Sequence, residues 1–236
     1  MPPGLSIVIP ARNEEGNLKP CVETVLGALD GVTDDYEIII VNDGSTDGTG
    51  ALAERLAAEL RGVRAVHNAR GLGFARAYRH GAGLATKPYV GLIPGDNEIQ
   101  PASMRAIFEA VGDADIVVPF TANQEIRPWL RRVLSRTFTR TVNFLFGFDL
   151  RYYQGPCVYP AGVLRTLPVT TWGYAFLTEM LVRALASGQR RVEVPMFIQV
   201  RRFGVSRAVT VRNVLAALKT VSRLFWDVKV RRRPLG

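Results

Sequence analysis

Cysteine and histidine are scarce in this 236-residue chain, with two of each. Cys21 and Cys157 are far apart and sit in apolar or loop contexts, the pattern of two reduced thiols in a cytoplasmic protein and not of a disulfide framework. His67 and His80 make no recognised zinc-binding spacing with them, which argues against hydrolytic zinc chemistry. No apolar run reaches the ~18 residues of a membrane-spanning helix, so none is expected. The opening Met1-Pro2-Pro3-Gly4 lacks a basic segment followed by an apolar one, so no secretory signal is expected. Internal repeats and low-complexity linkers are also missing.

Positive charge is plentiful. The formal net charge is +9, from 30 Lys and Arg against 21 Asp and Glu, and most of the excess follows residue 126. Such a basic half suits an anionic partner: nucleic acid, a phosphorylated substrate or acidic lipid. A composition of 47% hydrophobic and 22% charged residues is that of a globular protein.

The first half alternates short β-branched runs with helical spacing. Strands are expected at 5–9, 37–41, 63–66, 89–93 and 115–119. Helices are expected at 14–29, 47–60 (capped by Ser45 or Asp47), 74–84 and 101–110. Buried strands separated by helices predict a doubly wound, mostly parallel α/β sheet with helices on both faces. After residue 120 the pattern changes. A long helix is expected at 128–146, strand and turn at 150–160, a helix at 174–187, a strand at 191–200 and an amphipathic helix at 209–228 ahead of Arg231-Arg232-Arg233. This divides the chain into two halves, 1–120 and 121–236, with different roles within one compact unit.

Ligands of an open parallel sheet bind beyond the carboxyl ends of its strands. Three polar, turn-forming motifs fall there: Pro10-Ala11-Arg12-Asn13-Glu14-Glu15, Val41-Asn42-Asp43-Gly44-Ser45-Thr46-Asp47-Gly48-Thr49 and Pro94-Gly95-Asp96-Asn97-Glu98. A fourth segment, Asn68-Ala69-Arg70-Gly71-Leu72-Gly73, is a glycine-rich turn entering a helix, whose amides can face an anion.

In these segments the chain resembles the inverting family-2 glycosyltransferases of the Rossmann-like GT-A fold. The resemblance implies a nucleotide-sugar donor, with Pro10, Arg12, Glu14, Asn42, Asp43, Arg70 and Gly95 around the nucleotide. Asn42 stands where an Asp is common. The family's Asp-x-Asp metal motif is here Pro94-Gly95-Asp96, leaving Asp96 as the retained ligand and Glu98 as a carboxylate that could restore the lost charge. Mg²⁺ or Mn²⁺ is the cofactor expected, since a departing diphosphate needs a hard cation.

Later segments, "RRVLSRTFTRTVNFLFGFDLRYYQGPCVYPAGVL", "GYAFLTEMLVRALASG" and "VEVPMFIQVRRFGVSR", resemble the branch containing dolichol-phosphate mannose synthase and other polyprenyl-phosphate glycosyltransferases. That implies hexose transfer to a polyprenyl phosphate at a membrane surface. Arg132, Ser135, Arg202 and Arg207 are the candidates for holding the lipid phosphate, and Glu179 is the candidate base for a hydroxyl acceptor. Arg132, Arg136 and Arg140 form a basic stripe joined by Asn143, opposite Leu134, Phe138 and Leu145. Val214, Leu218, Val221, Phe225 and Val228 form an apolar stripe beside Lys219 and Arg223. Peripheral attachment at the cytoplasmic face of a membrane follows. A soluble or glycan hydroxyl acceptor, a basic nucleic-acid-binding protein and an inactive scaffold are the alternatives. No nucleic-acid motif is present, and nucleic acid is not an expected partner.

Overall fold

The computed structural model describes residues 2–173, 175–199 and 211–231. Seven strands form one sheet: β1 (Leu5–Ala11), β2 (Tyr36–Asn42), β3 (Val63–His67), β4 (Tyr89–Leu92), β5 (Ile116–Thr121), β6 (Val158–Pro160) and β7 (Arg191–Met196). The helices are α1 (Glu15–Leu29), α2 (Thr49–Glu59), α3 (Phe74–Gly83), α4 (Pro101–Glu109), α5 (Trp129–Phe146), α6 (Ala161–Thr166), α7 (Phe176–Ala186) and α8 (Val211–Phe225), the last running into a π-helical turn at Trp226–Val230.

The strand order is β3-β2-β1-β4-β6-β5-β7. β1 pairs in parallel with β2 and β4, β2 with β3, and β5 with β7, whereas β6 runs antiparallel between β4 and β5. The sheet thus continues across residue 120, and a three-residue strand from the second half separates two strands of the first. It falls within 150–160, where strand and turn are expected, whereas α6 directly after it was not expected as a helix.

Strand residues alternate between two faces. Ile7, Ile9, Ile38 and Ile40 pack with Leu18, Val22 and Val25 of α1, Leu52 and Leu56 of α2, and Ile107 and Phe108 of α4. Val8, Ile39 and Val41 face Tyr78 of α3, Val142 and Phe146 of α5, Met180 of α7, and Val221 and Leu224 of α8. Both faces of the first two strands are therefore covered, which is why they read as continuous apolar runs. Each fully buried Ile or Leu contributes about 1.5–3 kcal/mol, so the central strands anchor the loops at their carboxyl ends.

Two helix faces differ from expectation. Asn143 is turned inward at the end of α5: its side chain donates to the Leu150 carbonyl (2.8 Å) and accepts from the Leu150 amide (3.1 Å) and the Tyr153 hydroxyl (2.6 Å). It folds the chain back after the helix and is no part of the exposed basic stripe. On α8 the inward residues are Ala217, Val221 and Leu224, while Leu218 is exposed. The i, i+4, i+7 set keeps to the 3.6-residue period, and Leu218 lies 100° off it.

Candidate active site

The loops after β1 and β2 are tied to each other. The Asn13 amide donates to Ser45 Oγ (3.1 Å), the Glu14 amide to Thr49 Oγ1 (2.9 Å), and the Thr46 and Gly48 amides donate back to Asn13 Oδ1 (2.9 Å) and Glu15 Oε2 (3.0 Å). Asp47, one residue ahead of the N-cap Gly48, accepts from the Thr49 amide at 3.0 Å. The loop after β4 closes on β1, where the Gly95 amide donates to the Pro10 carbonyl at 3.3 Å. Side chains that the sequence could only place at strand ends are here part of one continuous rim.

Asp43 organises the glycine-rich turn. It is 3% exposed, and its carboxylate accepts from Asn68 Nδ2 and the Leu72 amide at one oxygen and from the Gly73 amide at the other, all at 2.8 Å. Asn68 Oδ1 in turn accepts from His80 Nδ1 (2.8 Å). Since Asn68 Nδ2 is used on Asp43, Oδ1 must be the acceptor, which puts a proton on His80 Nδ1. Asn42 is similarly committed: Nδ2 donates to His67 Nδ1 (2.9 Å) and Oδ1 accepts from the Ser45 amide (3.2 Å). Glu14 accepts from Asn17 Nδ2 at 2.7 Å. Three of the residues expected around the nucleotide thus also build the rim. Arg12 and Arg70 are exposed beside it.

The turn is in backbone contact with the β2 loop. Gly44 has φ +61°, and a Cβ there would lie 2.4 Å from the Gly71 amide nitrogen. Both obstacles are backbone and cannot swing aside. Gly44→Ala should lower stability by roughly 1–3 kcal/mol, read as a lowered urea midpoint at unchanged m-value.

Beyond the 94–98 loop lies a cavity of about 430 Å³, lined among others by Asp96, Glu98, Arg127, Arg131, Trp172 and Phe176. The carboxylate loop is braced from behind: the Gln199 amide donates to the Glu98 carbonyl and Gln199 Nε2 to the Asn97 carbonyl, each at 2.8 Å. The Glu98 amide donates to Asp96 Oδ1 (3.3 Å), and Asn97 takes the left-handed conformation (φ 53°) that Asn tolerates. Asn97 Oδ1 is buried without a hydrogen-bond partner. Carboxylate and amide oxygens are the hard donors that Mg²⁺ or Mn²⁺ takes, so the residues of this turn suit either ion in kind. Among the described residues no cluster of three or more His, Cys, Asp or Glu side chains occurs.

Arg127 and Arg131 bring the positive charge. Arg127 donates to the Tyr152 hydroxyl (3.2 Å), lies over the Tyr152 ring at 5.7 Å and has a buried, unpartnered Nε. Arg131, in the first turn of α5, lines the cavity; Ser135 follows at i+4 on the same face and Arg132 lies 100° around the helix, and neither of these two lines the cavity. The sequence reading named Arg132 and passed over Arg127 and Arg131. The i, i+4, i+8 stripe of Arg132, Arg136 and Arg140 follows a different face of α5 from the one Arg131 presents to the cavity. Arg202 and Arg207 lie outside the described residues.

Residues 6–166, more than half of the chain, match Glycosyl transferase family 2. The chain belongs to this family. Family-2 relatives include the polyprenol monophosphomannose synthase of Mycolicibacterium smegmatis, 29% identical over 95% of this chain and 87% of that protein. The undecaprenyl-phosphate mannosyltransferase of Micrococcus luteus is 29% identical over 85% of each chain. Among solved structures, the glucosyl-3-phosphoglycerate synthase of Mycobacterium tuberculosis, with Mn²⁺, uridine diphosphate and glucosyl-3-phosphoglycerate bound, superposes with a TM-score of 0.65 at 18% identity, covering 95% of this chain and 79% of that one. The fold is accordingly GT-A, as expected.

Glu179 was the candidate base for the case of a hydroxyl acceptor. Its geometry argues otherwise. Glu179 is fully buried and is not among the residues lining the cavity. Its oxygens accept from the Thr170 hydroxyl (3.0 Å), the Thr171 amide (2.7 Å) and Arg183 Nε (3.0 Å). Burial pushes its pKa up, but hydrogen bonds from Thr171 and then Arg183 outweigh it and hold the carboxyl below its ordinary value. A carboxylate so occupied and so acidic is a poor proton acceptor at neutral pH.

Proposed function

We propose that this chain transfers a hexose from a nucleotide-sugar to a polyprenyl phosphate, working at the cytoplasmic face of a membrane. The observation that carries this reading is the cavity itself. Its lining brings together two carboxylates, Asp96 and Glu98, two arginines, Arg127 and Arg131, and the aromatic rings of Tyr152, Trp172 and Phe176. The carboxylates suit a metal-bound diphosphate and the arginines suit a second, separate anion. The names of the relatives from Mycolicibacterium smegmatis and Micrococcus luteus support a lipid phosphate as that anion.

Pro10, Arg12, Glu14, Asn42, Asp43, Arg70 and Gly95 surround the nucleotide in this reading, with Arg12 and Arg70 facing its charge. Asp96 and Glu98 hold Mg²⁺ or Mn²⁺, which neutralises the diphosphate as it leaves. Arg127, Arg131 and Ser135 orient the acceptor phosphate, with Arg202 and Arg207 completing the set. A phosphate monoester is already largely anionic at neutral pH, with a second pKa of about 6, so attack on the anomeric carbon needs positioning more than a base. The buried Glu179 is consistent with that.

Because Arg131 and not Arg132 lines the cavity, Arg131→Ala should raise the acceptor KM by about tenfold or more, the loss of a charge-assisted contact. Arg132→Ala should change it less than about threefold. The donor KM should stay unchanged in both.

The reading is tested by incubating the protein with GDP- and UDP-sugars and Mg²⁺ or Mn²⁺, with and without a short polyprenyl phosphate, and following nucleoside diphosphate release. One donor should respond strongly to the lipid. Equal release with and without lipid from every donor would remove the polyprenyl-phosphate acceptor.

A further inference from the structure

Three segments meet at Glu179. It lies on α7, and beyond the contacts to Thr170, Thr171 and Arg183 it pairs with Arg223 of α8 at 3.6 Å. Arg223 also donates to Thr171 Oγ1 (2.7 Å), and Thr171 Oγ1 lies 3.4 Å from Thr220 Oγ1, likewise on α8. Arg183 reaches Asp227 in the π-helical turn after α8 at 3.4 Å. A buried ionic network therefore clamps α8 to the short segment carrying Thr170 and Thr171.

The next residues in that segment, Trp172 and Gly173, line the cavity. Trp172 is held from outside as well, with the guanidinium carbons of Arg76 and Arg79 lying 5.3 and 5.8 Å from its ring. The outer side of α8 and its continuation exposes Leu215, Leu218, Trp226 and Val230. One end of the network is thus a cavity wall, and the other is an apolar helix surface.

We propose that Glu179 is a positioning residue for the acceptor: it locks the Trp172 wall to α8, so that the helix surface and the mouth of the acceptor pocket keep a fixed register. This rests on the polyprenyl-phosphate reading. A lipid whose chain lies along α8 and whose phosphate sits in the cavity needs both ends of its path set together. In the same reading the donor is assigned to the 94–98 loop, a different segment from those of the network.

The test is a comparison of donor and acceptor kinetics using a short polyprenyl phosphate. Glu179→Gln keeps the volume and removes the charge. It should raise the acceptor KM about tenfold or more, leave the donor KM within about twofold, and leave kcat at saturating acceptor within about threefold. Should that variant not fold, Arg223→Gln, at the half-exposed end of the network, and Thr171→Val carry the same test, and Arg223→Lys should restore part of the acceptor affinity. A purely structural role would instead lower kcat with the folded fraction and leave both KM values in place, and that result would overturn the proposal. So would donor and acceptor KM rising together. No transfer to lipid by the unsubstituted protein would overturn the acceptor reading and this proposal with it; normal transfer with an unmoved acceptor KM in the folded variants would overturn this proposal alone.

Discussion

Asp96→Ala should reduce sugar transfer by at least about a thousandfold. A divalent cation at a departing diphosphate supplies several kcal/mol of charge stabilisation, and each 1.36 kcal/mol is a factor of about ten in rate. Pro94 occupies the place of the first acid in the family's usual metal motif, so Asp96 has only Glu98 and the Asn97 amide oxygen as neighbouring donors in its turn. Losing Asp96 leaves a single carboxylate in the turn, the fewest with which Mg²⁺ is usually held beside substrate phosphates. Glu98→Gln, which keeps an oxygen and loses a charge, should cost less, about ten- to a hundredfold. Titrating nucleotide-sugar with and without Mg²⁺ separates the two roles of the loop. Asp96→Ala should remove the metal-dependent part of the affinity and leave the metal-independent part. Unchanged turnover in this variant would remove the metal role.

The second large effect concerns the outer surfaces of α5 and α8. The two helices meet through Phe146 and Phe225, whose rings are 6.1 Å apart. Away from that contact α5 exposes Trp129 (68%), Leu130, Val133 and Phe144 (86%), and α8 with its π-helical turn exposes Leu215, Leu218, Trp226 and Val230. Arg136, Arg140, Lys219 and Lys229 are exposed on the same two segments. Among the described residues no helix is long and apolar enough to cross a membrane. Large apolar side chains interleaved with cations are the make-up of a surface that rests in a headgroup layer. Each aromatic inserted contributes up to about 1.5–3 kcal/mol, and each cation near an anionic surface about 1 kcal/mol. Trp129→Ser combined with Trp226→Ser should therefore weaken sedimentation with anionic vesicles by about tenfold or more, with the fold intact because both residues are outside the core. Raising the salt to about 1 M, where the Debye length is only ~3 Å, should weaken the binding further. Binding that is indifferent to both changes would mean these faces meet something other than lipid.

Much of the fold could be read from the chain because the strands are two-faced. Leu5–Ala11 and the later part of Tyr36–Asn42 are buried throughout, so their apolar runs were unambiguous, and the ligand-bearing loops had to follow them. β6 falls inside the 150–160 stretch expected as strand and turn, but its bounds were not legible: three residues with a terminal proline carry no period, and only the space between β4 and β5 fixes which of them pair. The site divides in the same way. Asp96 and Glu98 were found because their motif sits at a strand end, a position set by local sequence. Asp43 and Asn42 were found by motif, but their hydrogen-bond partners at 67–73 come from another loop and could not be read. Arg127, Trp172 and Tyr152 reach the cavity from three separate segments that only the tertiary fold brings together. Glu179 was misread because an i, i+4 pair with Arg183 looks the same on a solvent face as in a buried network; its burial comes from α8, some 40 residues away in sequence.

The most direct test looks at where the sugar goes. Mass spectrometry of the lipid fraction, after incubation with the responding nucleotide-sugar, Mg²⁺ or Mn²⁺ and a short polyprenyl phosphate, should find the lipid phosphate heavier by one hexose, and chelation of the metal should abolish the gain. Donor consumed while the lipid phosphate stays unmodified would contradict the account.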